Sequence, residues 1–226
     1  MRHFTRKLLM IVGLAAMSII ANAQTCEPGG SCGGDAVESV FDVVSPVGQS
    51  SVEMIEMAPR LEDLEGKTIA LVGGSFMASV THVELRKIIL EMFPTCTVYV
   101  LSEVGSAGLF PGPRVRKPQV ERFQQKLIDL GVDAVVSGNG GCGICTPKET
   151  GSAIAAEYIG IPSVMIAAPG FDTQAKTTAY NNGVPVMRVA VYPGAFAAHT
   201  EEQLKQNTRD VLWPQIFDAL TAEITE

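Results

Sequence analysis

The stretch that decides the fold is VDAVVSGNGGCGICTPKETGSAIAAEYIGIPSVMIA, residues 132–167. Its pattern predicts an apolar strand over 132–136, a Gly- and Cys-rich loop over 138–145, a helix over 147–159 and a second apolar strand over 163–167. Parallel neighbouring strands need a crossover connection, which is usually a helix. The stretch therefore predicts a βαβ unit, with its loop at the carboxyl end of the first strand, where open α/β sheets bind ligands.

The same alternation continues on both sides of this unit. Further strands are predicted over residues 68–72, 96–101 and 185–191. Further helices are predicted over residues 82–92, 118–130, 172–180 and 201–222. Pro214 predicts a kink or division of the last helix near Trp213, because proline cannot continue the helical hydrogen bonds. Apolar strands separated by helices indicate an α/β fold: a doubly wound, mostly parallel sheet of about five strands with helices on both faces.

Capping patterns mark three of the predicted helix starts. In such a box a Thr side chain and a Glu or Gln three residues later satisfy each other's backbone amides. The three pairs are Thr81–Glu84, Thr146–Glu149 and Thr200–Gln203. Pro147 would then occupy the first helical position, which proline favours.

Residues 1–23 have the pattern of a signal peptide. Three basic residues precede an uncharged stretch over 8–20, which ends in the small-x-small sequence Ala21-Asn22-Ala23. A retained N-terminal anchor is the alternative, but the apolar run is short for a membrane span. We expect an exported protein, periplasmic or extracellular, that has no membrane association after cleavage.

Charge and composition describe the rest of the chain. Removing residues 1–23 takes away three of the 17 Lys and Arg residues and none of the 24 Asp and Glu residues, which moves the formal charge from −7 to −10. An acidic protein of this kind is not expected to bind nucleic acid. Residues 24–66 predict a leader and linker, in which Cys26 and Cys32 form a structural disulfide or stay free thiols. The α/β domain is expected over 67–226.

Two familiar ligand sites fit the Gly-Cys loop poorly. Gly138, Gly140 and Gly143 match the dinucleotide pattern G-x-G-x-x-G, but the loop follows the third predicted strand, and no acidic residue stands where a ribose would need one. Zinc could take Cys142 and Cys145 as two ligands, but the other two would have to be histidines, His82 and His199, from separate loops. We therefore predict no cofactor and no metal.

A reactive pair of thiols uses every feature of the loop. With Thr146 as the N-cap, Cys145 lies just outside the helix and Cys142 less than one turn before it, where unpaired amides stabilise a thiolate. The glycines remove side chains from around the sulfur, so a substrate can approach. Cys142 would attack, and Cys145 would resolve the adduct. An inert disulfide that stiffens the loop is the alternative.

The chain from Lys67 onward resembles the UGSC-type (seleno)proteins. The resemblance rests on Gly-Asn-Gly-Gly-Cys-Gly-Ile-Cys over 138–145 and on the downstream Gly-Ile-Pro-Ser-Val over 160–164. More distantly, the chain resembles the selenocysteine-containing B component of glycine, sarcosine and betaine reductases. The resemblance implies that Cys142 occupies the selenocysteine position and Cys145 that of the later cysteine. Ile144 in place of the motif's Ser, and an export signal, depart from the pattern.

Other residues of the strand-end loops are predicted to complete the site. His199 precedes the last capping box, and its imidazole would act as an acid or base toward the thiol. The Gly73-Gly74-Ser75 amides would bind a carboxylate or phosphate. A basic cluster at Arg114, Arg116 and Lys117 lies in a Pro/Gly-rich loop long enough to be a flap. The predicted substrate-binding residues are Gly73, Gly74, Ser75, Gly138, Asn139, Gly140, Gly141, Gly143, Thr146, Pro169 and Gly170.

These features favour an exported thiol-dependent oxidoreductase that acts on a small molecule and exchanges electrons with a redox partner protein. One alternative is a cofactor-independent racemase or lyase of the Asp/Glu racemase type, which would require Cys96 as a second acid/base thiol. Cys96 is instead expected to be a buried apolar residue within a strand. The other alternative is a non-catalytic protein that binds a small anion and uses the cysteines as a structural disulfide.

Overall fold

A computed structural model describes residues 52–112, 115 and 117–222. The strands of this part are β1 Thr68–Val72, β2 Thr97–Val100, β3 Ala134–Gly140, β4 Ser163–Ala167 and β5 Val189–Val191. In these residues the strands form one five-stranded sheet in the order β2-β1-β3-β4-β5. Every neighbouring pair is parallel. The predicted signal peptide and the pair Cys26 and Cys32 lie outside the described residues.

Helices cover both faces of the sheet. They are α1 Ala78–Met92, α2 Pro118–Asp129, α3 Cys145–Glu157, α4 Asp172–Tyr180, α5 Glu201–Asn207 and α6 Trp213–Thr221. Ile69 of β1 packs in one core with residues of α1, α5 and α6, whereas its neighbour Ala70 packs in another with residues of α2 and α3. Successive strand residues point to opposite faces, so this division confirms the predicted doubly wound α/β fold.

Only one of the three predicted capping boxes is present. At the start of α5, Gln203 N donates to Thr200 Oγ1 at 3.3 Å, and Thr200 N donates to Gln203 Oε1 at 2.9 Å. The predictions at Thr81 and Thr146 are wrong, because α1 already begins at Ala78 and α3 at Cys145. Both helices start earlier than predicted, because residues that precede Thr81 and Thr146 form the turns into them.

Before α1, two consecutive non-glycine residues adopt left-handed backbone conformations. Phe76 has φ 42° and Met77 has φ 58°, a region that side chains disfavour. This turn brings the chain into the helix at Ala78. Thr81 therefore lies inside α1, where its hydroxyl accepts a hydrogen bond from Asn139 Nδ2 at 3.0 Å.

Before α3, Cys142 takes the capping role predicted for Thr146. The Cys145 amide donates to Cys142 Sγ at 3.0 Å, and the Thr146 amide donates to the Cys142 carbonyl at 3.1 Å. The Thr146 hydroxyl is buried and has no hydrogen-bond partner in the described part of the chain. One cysteine thus supplies acceptors for two amides at the start of the helix.

The predicted division of the last helix is confirmed. A π-helical turn, Thr208–Leu212, separates α5 from α6. Pro214 lies in the first turn of α6 and has no amide hydrogen to donate to the preceding turn. In the residues that the structure describes, no helix has the length and apolar character needed to cross a bilayer.

Part of the predicted linker packs against the domain. Ala58 and Leu64 are buried, and the Arg60 side chain lies 3.1 Å from Glu157 Oε1 with both side chains almost fully buried. The Glu157 carboxylate also accepts from the amides of Ala58 and Ser163. Residues 52–66 are therefore fastened to the C-terminal end of α3, while the domain boundary itself stays a prediction.

We expect Glu157→Gln to lower the free energy of unfolding by about 3 kcal/mol, because it leaves the Arg60 charge buried without its partner. Denaturant unfolding at neutral pH measures the loss. Glu91→Gln is the control, since Glu91 pairs with Arg209 on an exposed surface and its loss should cost much less stability. Equal losses in the two variants would contradict this account of the fastening.

Candidate functional site

The candidate site lies where the strand order reverses direction. The chain runs from β1 to β2 on one side and then returns to place β3 on the other side of β1. In such sheets the crevice at the carboxyl ends of the two central strands is the preferred ligand position. Here the loop over 73–77 faces the loop over 141–144 across that crevice.

Cys142 and Cys145 form a disulfide at this position, with Cα atoms 5.2 Å apart. The sequence left open whether these cysteines pair. Both residues are half-buried, and Ile144 between them is 75% exposed. Gln174 from α4 holds the loop by donating to the Gly143 carbonyl at 2.9 Å. The disulfide therefore lies at the surface, on a loop that Gln174 holds at Gly143.

The N-terminus of α3 acts directly on the Cys142 sulfur. The Cys145 amide that donates to Sγ is the first amide of the helix. The positive end of a helix and an N–H donor both favour negative charge on sulfur. Cys142 is thus the cysteine at which a thiolate is stabilised once the disulfide opens.

The first glycines of the loop serve packing. Gly138, Asn139 and Gly140 belong to β3 and are buried. A Cβ at Gly138 would lie 2.8 Å from Ile166 Cβ, and one at Gly140 would lie 2.5 Å from Met165 Cε. Because these glycines have no side chains, β3 packs closely against its neighbours directly before the disulfide loop. This placement leaves the G-x-G-x-x-G pattern without a phosphate-binding turn.

The Gly73-Gly74-Ser75 loop already faces a carboxyl group of the chain itself. Ser75 Oγ donates to Glu149 Oε1 at 2.6 Å, and the Glu149 side chain is fully buried. A Cβ at Gly73 would overlap both Glu149 Oε2 and the Gly138 carbonyl oxygen, and Gly73 has φ +102°. Only glycine fits there. An internal carboxyl group therefore occupies the position where the sequence predicts an external carboxylate or phosphate.

Burial raises the pKa of Glu149, and this effect exceeds the opposing effects of the Ser75 hydrogen bond, Lys148 and the amides of Gly74 and Ser75. Glu149 Oε2 has no hydrogen-bond partner among the described residues. Glu149 follows Cys145 by one helical turn and so shares its helix face. The sequence missed this group because the capping pattern gave Glu149 a surface role.

A buried polar chain supports the loop from the β1 side. His82 Nε2 donates to the Val72 carbonyl at 2.9 Å, and Nδ1 lies 3.3 Å from Thr81 Oγ1. Asn139 Nδ2 donates to Thr81 Oγ1 and to the Phe76 carbonyl at 2.8 Å. Burial lowers the pKa of His82 to about 4. His82 is thus a neutral structural residue and is not available as a zinc ligand.

The His199 ring contacts the edge of Tyr192, which in turn stacks on Phe196. Asn207 Nδ2 donates to Tyr192 Oη at 3.0 Å, which leaves the Tyr192 hydroxyl hydrogen for His199 Nδ1 at 2.9 Å. This arrangement favours the imidazole with hydrogen on Nε2. Tyr192 also stacks on Phe196, with ring centroids 4.4 Å apart. The ring of His199 is hydrogen-bonded to Tyr192 and not to either cysteine, so its acid or base role stays a prediction.

An apolar cavity of about 270 Å³ reaches Gly141, the residue that precedes Cys142. It is lined by Phe76 after β1, Gly141 after β3, Ala168, Pro169 and Phe171 after β4, and residues 194–197 after β5. The Phe76 ring also packs against Gly141, where a Cβ would lie 3.3 Å from the ring. The sequence predicted that the loops over 169–171 and 192–199 converge here, with Gly141 and Pro169 as binding residues. It assigned no role to Phe76, Phe171 or Phe196, because isolated aromatic residues in loops carry no periodic signal.

Of the predicted basic cluster, Lys117 lies among the described residues. Arg114 and Arg116 lie outside the described residues, so the proposed flap is not described. Lys117 Nζ donates to the Leu109 carbonyl at 2.7 Å. Among the residues with described positions, no three His, Cys, Asp or Glu side chains are grouped to hold a metal ion.

Comparison with known families adds to this geometry. The family model of the UGSC family matches residues 42–222, which include the whole sheet and the disulfide loop. The chain belongs to the UGSC family. A search of the curated proteins and a search of the solved structures each found no match. The UGSC family match does not reach the B component of the reductases, so that more distant resemblance stays a prediction.

We expect His82 to make this UGSC family protein less stable in acid. Its pKa is about 4 in the folded chain against 6.5 for an ordinary histidine, so the unfolded chain binds more protons between these values. Stability is therefore lost as the pH falls from 6.5 to 4, by roughly 3 kcal/mol. His82→Gln, whose amide can still donate to Val72, should lack this part of the loss in denaturant unfolding. The same pH dependence in wild type and His82→Gln would contradict the assignment, and His199→Gln is the control.

Glu149 should give the protein's stability the opposite pH dependence to that of His82. Its pKa is raised above 4.5, so the folded chain binds more protons than the unfolded chain above that pH. The stability is fully present below pH 4.5 and is lost as the pH rises through the folded pKa. Glu149→Gln should therefore be more stable than wild type at pH 7, with a difference that shrinks in acid. Glu62→Gln on the surface provides the comparison, and a lower stability of Glu149→Gln at pH 7 would refute this view.

Proposed function

We propose that this UGSC family protein is an exported thiol-dependent oxidoreductase that acts on a small molecule through Cys142 and Cys145. The reduced protein attacks the substrate's disulfide with the Cys142 thiolate, forms a mixed disulfide and releases one substrate thiolate. Cys145 then attacks Cys142 Sγ, which forms the Cys142–Cys145 disulfide and releases the second thiolate. Two electrons pass from the protein to the substrate, and a dithiol partner protein restores the reduced state.

The observation that carries the proposal is the hydrogen bond from the Cys145 amide to Cys142 Sγ, 3.0 Å long, at the first turn of α3. It favours Cys142 as the thiolate and places Cys145 within bonding distance of it. Both cysteines are half-buried, so a substrate can reach them. A purely structural disulfide would not need this exposure or this position beside a cavity.

The position of Cys96 disfavours the racemase alternative. Cys96 is buried just before β2, at the amino end of the sheet, and its thiol donates to the Leu64 carbonyl at 2.7 Å. Cys142 follows β3 at the carboxyl end. Burial also raises the pKa of the Cys96 thiol above the ordinary value of a cysteine. A pair of cysteines at opposite ends of the sheet cannot face one substrate, as two-base racemisation requires.

The position of Glu149 disfavours the small-anion alternative. Its carboxyl group lies at the Ser75 hydroxyl, where an external anion would have to bind. An external anion at this position would therefore find the Ser75 hydroxyl already engaged. The export of the protein and the identity of its redox partner stay proposals that rest on the sequence of residues 1–23 and on the disulfide.

The proposal is tested by trapping the mixed disulfide. Reduced Cys145→Ser, treated with 2-hydroxyethyl disulfide at pH 7, should accumulate an adduct on Cys142, because no second thiol releases it. Reduced Cys142→Ser should form an adduct on Cys145 at least about tenfold more slowly, since Cys145 lacks the amide that stabilises a thiolate. Peptide mapping by mass spectrometry assigns the adducts among the four cysteines that each variant retains.

Cys96 provides the internal reference for this experiment. It should remain unlabelled in the folded protein, because it is buried and donates to a backbone carbonyl. A Cys142 that reacts no faster than Cys96, or no faster than Cys145 in the paired variant, would overturn the assigned roles.

A further inference from the structure

The cavity beside the disulfide has an unusual chemical character for a site at the carboxyl end of an α/β sheet. Its side chains are aromatic or aliphatic, and the described residues that line it include no titratable group. Phe76 and Phe196 form one wall, with ring centroids 6.5 Å apart. Phe171 contributes from the loop after β4. A charged or strongly polar group would lose its hydration there without gaining a partner.

The crevice where such folds usually bind anions is filled by the chain itself. Glu149 occupies the space beneath Gly73, and the Phe76 ring lies against Gly141. The open space is therefore displaced from β1 toward the ends of β3, β4 and β5. Gly141, which lines this space, immediately precedes Cys142. The cavity is thus bounded by the residue that directly precedes the proposed nucleophile.

The size of the cavity limits its occupant. About 270 Å³ is just below the range of roughly 300–1,000 Å³ that is typical of sites for drug-sized ligands. It can take one compact group such as a phenyl ring or a branched alkyl chain, but not a length of polypeptide. His199 lies against Gly194, one of the residues that line the cavity. Its Nδ1 accepts a hydrogen bond from the Tyr192 hydroxyl.

We propose that this cavity binds the apolar part of the substrate, and that the substrate is a small uncharged molecule whose sulfur is attached to a compact hydrophobic group. This inference rests on the proposed function and names its substrate class. Because thiol–disulfide exchange is reversible, the same contacts form when a substrate thiolate attacks the oxidised protein. The thiolate bonds to Cys142 Sγ, the Cys142–Cys145 bond breaks, and Cys145 leaves as the thiolate. A second substrate thiolate then releases the substrate disulfide and the Cys142 thiolate.

The chemical test compares three thiols with the oxidised protein: benzyl mercaptan, 2-mercaptoethanol and 3-mercaptopropionate. Each rate of disulfide opening is divided by the rate with an oxidised peptide of sequence GNGGCGICTP, which has the cysteines but no cavity. Benzyl mercaptan should show an advantage of about tenfold over 2-mercaptoethanol, the scale expected from burying one aromatic ring. The anionic 3-mercaptopropionate should show no advantage.

Variants of the exposed loop after β5 locate the effect. Ala195→Trp places a large side chain on a lining residue, whereas Ala198→Trp places it on an exposed neighbour outside the lining. The advantage of benzyl mercaptan should be lost in Ala195→Trp and kept in Ala198→Trp, with the 2-mercaptoethanol rate unchanged in Ala198→Trp. Phe171→Ala, which removes part of the wall, should reduce the advantage independently.

A binding measurement separates the cavity from the chemistry. Benzyl alcohol, which has no thiol, should bind to the Cys142→Ser, Cys145→Ser double variant in ligand-observed NMR, and Ala195→Trp in that background should abolish the signal. No binding, or binding without any preference for benzyl mercaptan, would overturn the substrate class while leaving the thiol chemistry intact. Binding together with a disulfide that none of the thiols opens would overturn the proposed function, and with it this assignment.

Discussion

The start of α3 is the constraint on which the site depends. A helix that begins at the end of a buried strand exposes amides that need acceptors. In this protein the acceptors for Cys145 and Thr146 are the sulfur and the carbonyl of Cys142. The residue proposed to react is therefore also the residue that caps the first amides of the helix. Its position follows from the backbone, so the reactive sulfur is held without a dedicated binding side chain.

The crevice shows how the fold redirects a common ligand position. Parallel sheets with this strand order offer a site between the two central strands. Here Glu149 and Phe76 fill it, one with a carboxyl group held by Ser75 and one with a ring against Gly141. Two effects follow from the same packing. The space between the two central strands is occupied by the chain itself, and an apolar space remains next to Gly141.

Much of this organisation was legible in the sequence. Continuous apolar runs fixed β1, β4 and the order of strands and helices, because burial on both faces leaves a strong signal. The position of the two cysteines after β3 followed from the same pattern. The starts of α1 and α3 did not, since they depend on a left-handed turn at Phe76 and Met77 and on a sulfur acceptor at Cys142. The apolar cavity depends on aromatic residues from loops that are distant in sequence, and local patterns do not report such contacts.

The cap formed by Cys142 has a consequence for the proposed thiol chemistry. A sulfur that accepts the Cys145 amide in the disulfide can accept it equally as a thiolate, because the acceptor atom is the same and its charge improves the bond. The carbonyl acceptor for Thr146 is untouched by electron transfer. The oxidised and reduced forms can thus share one scaffold, and little reorganisation of the surrounding chain accompanies the passage of two electrons.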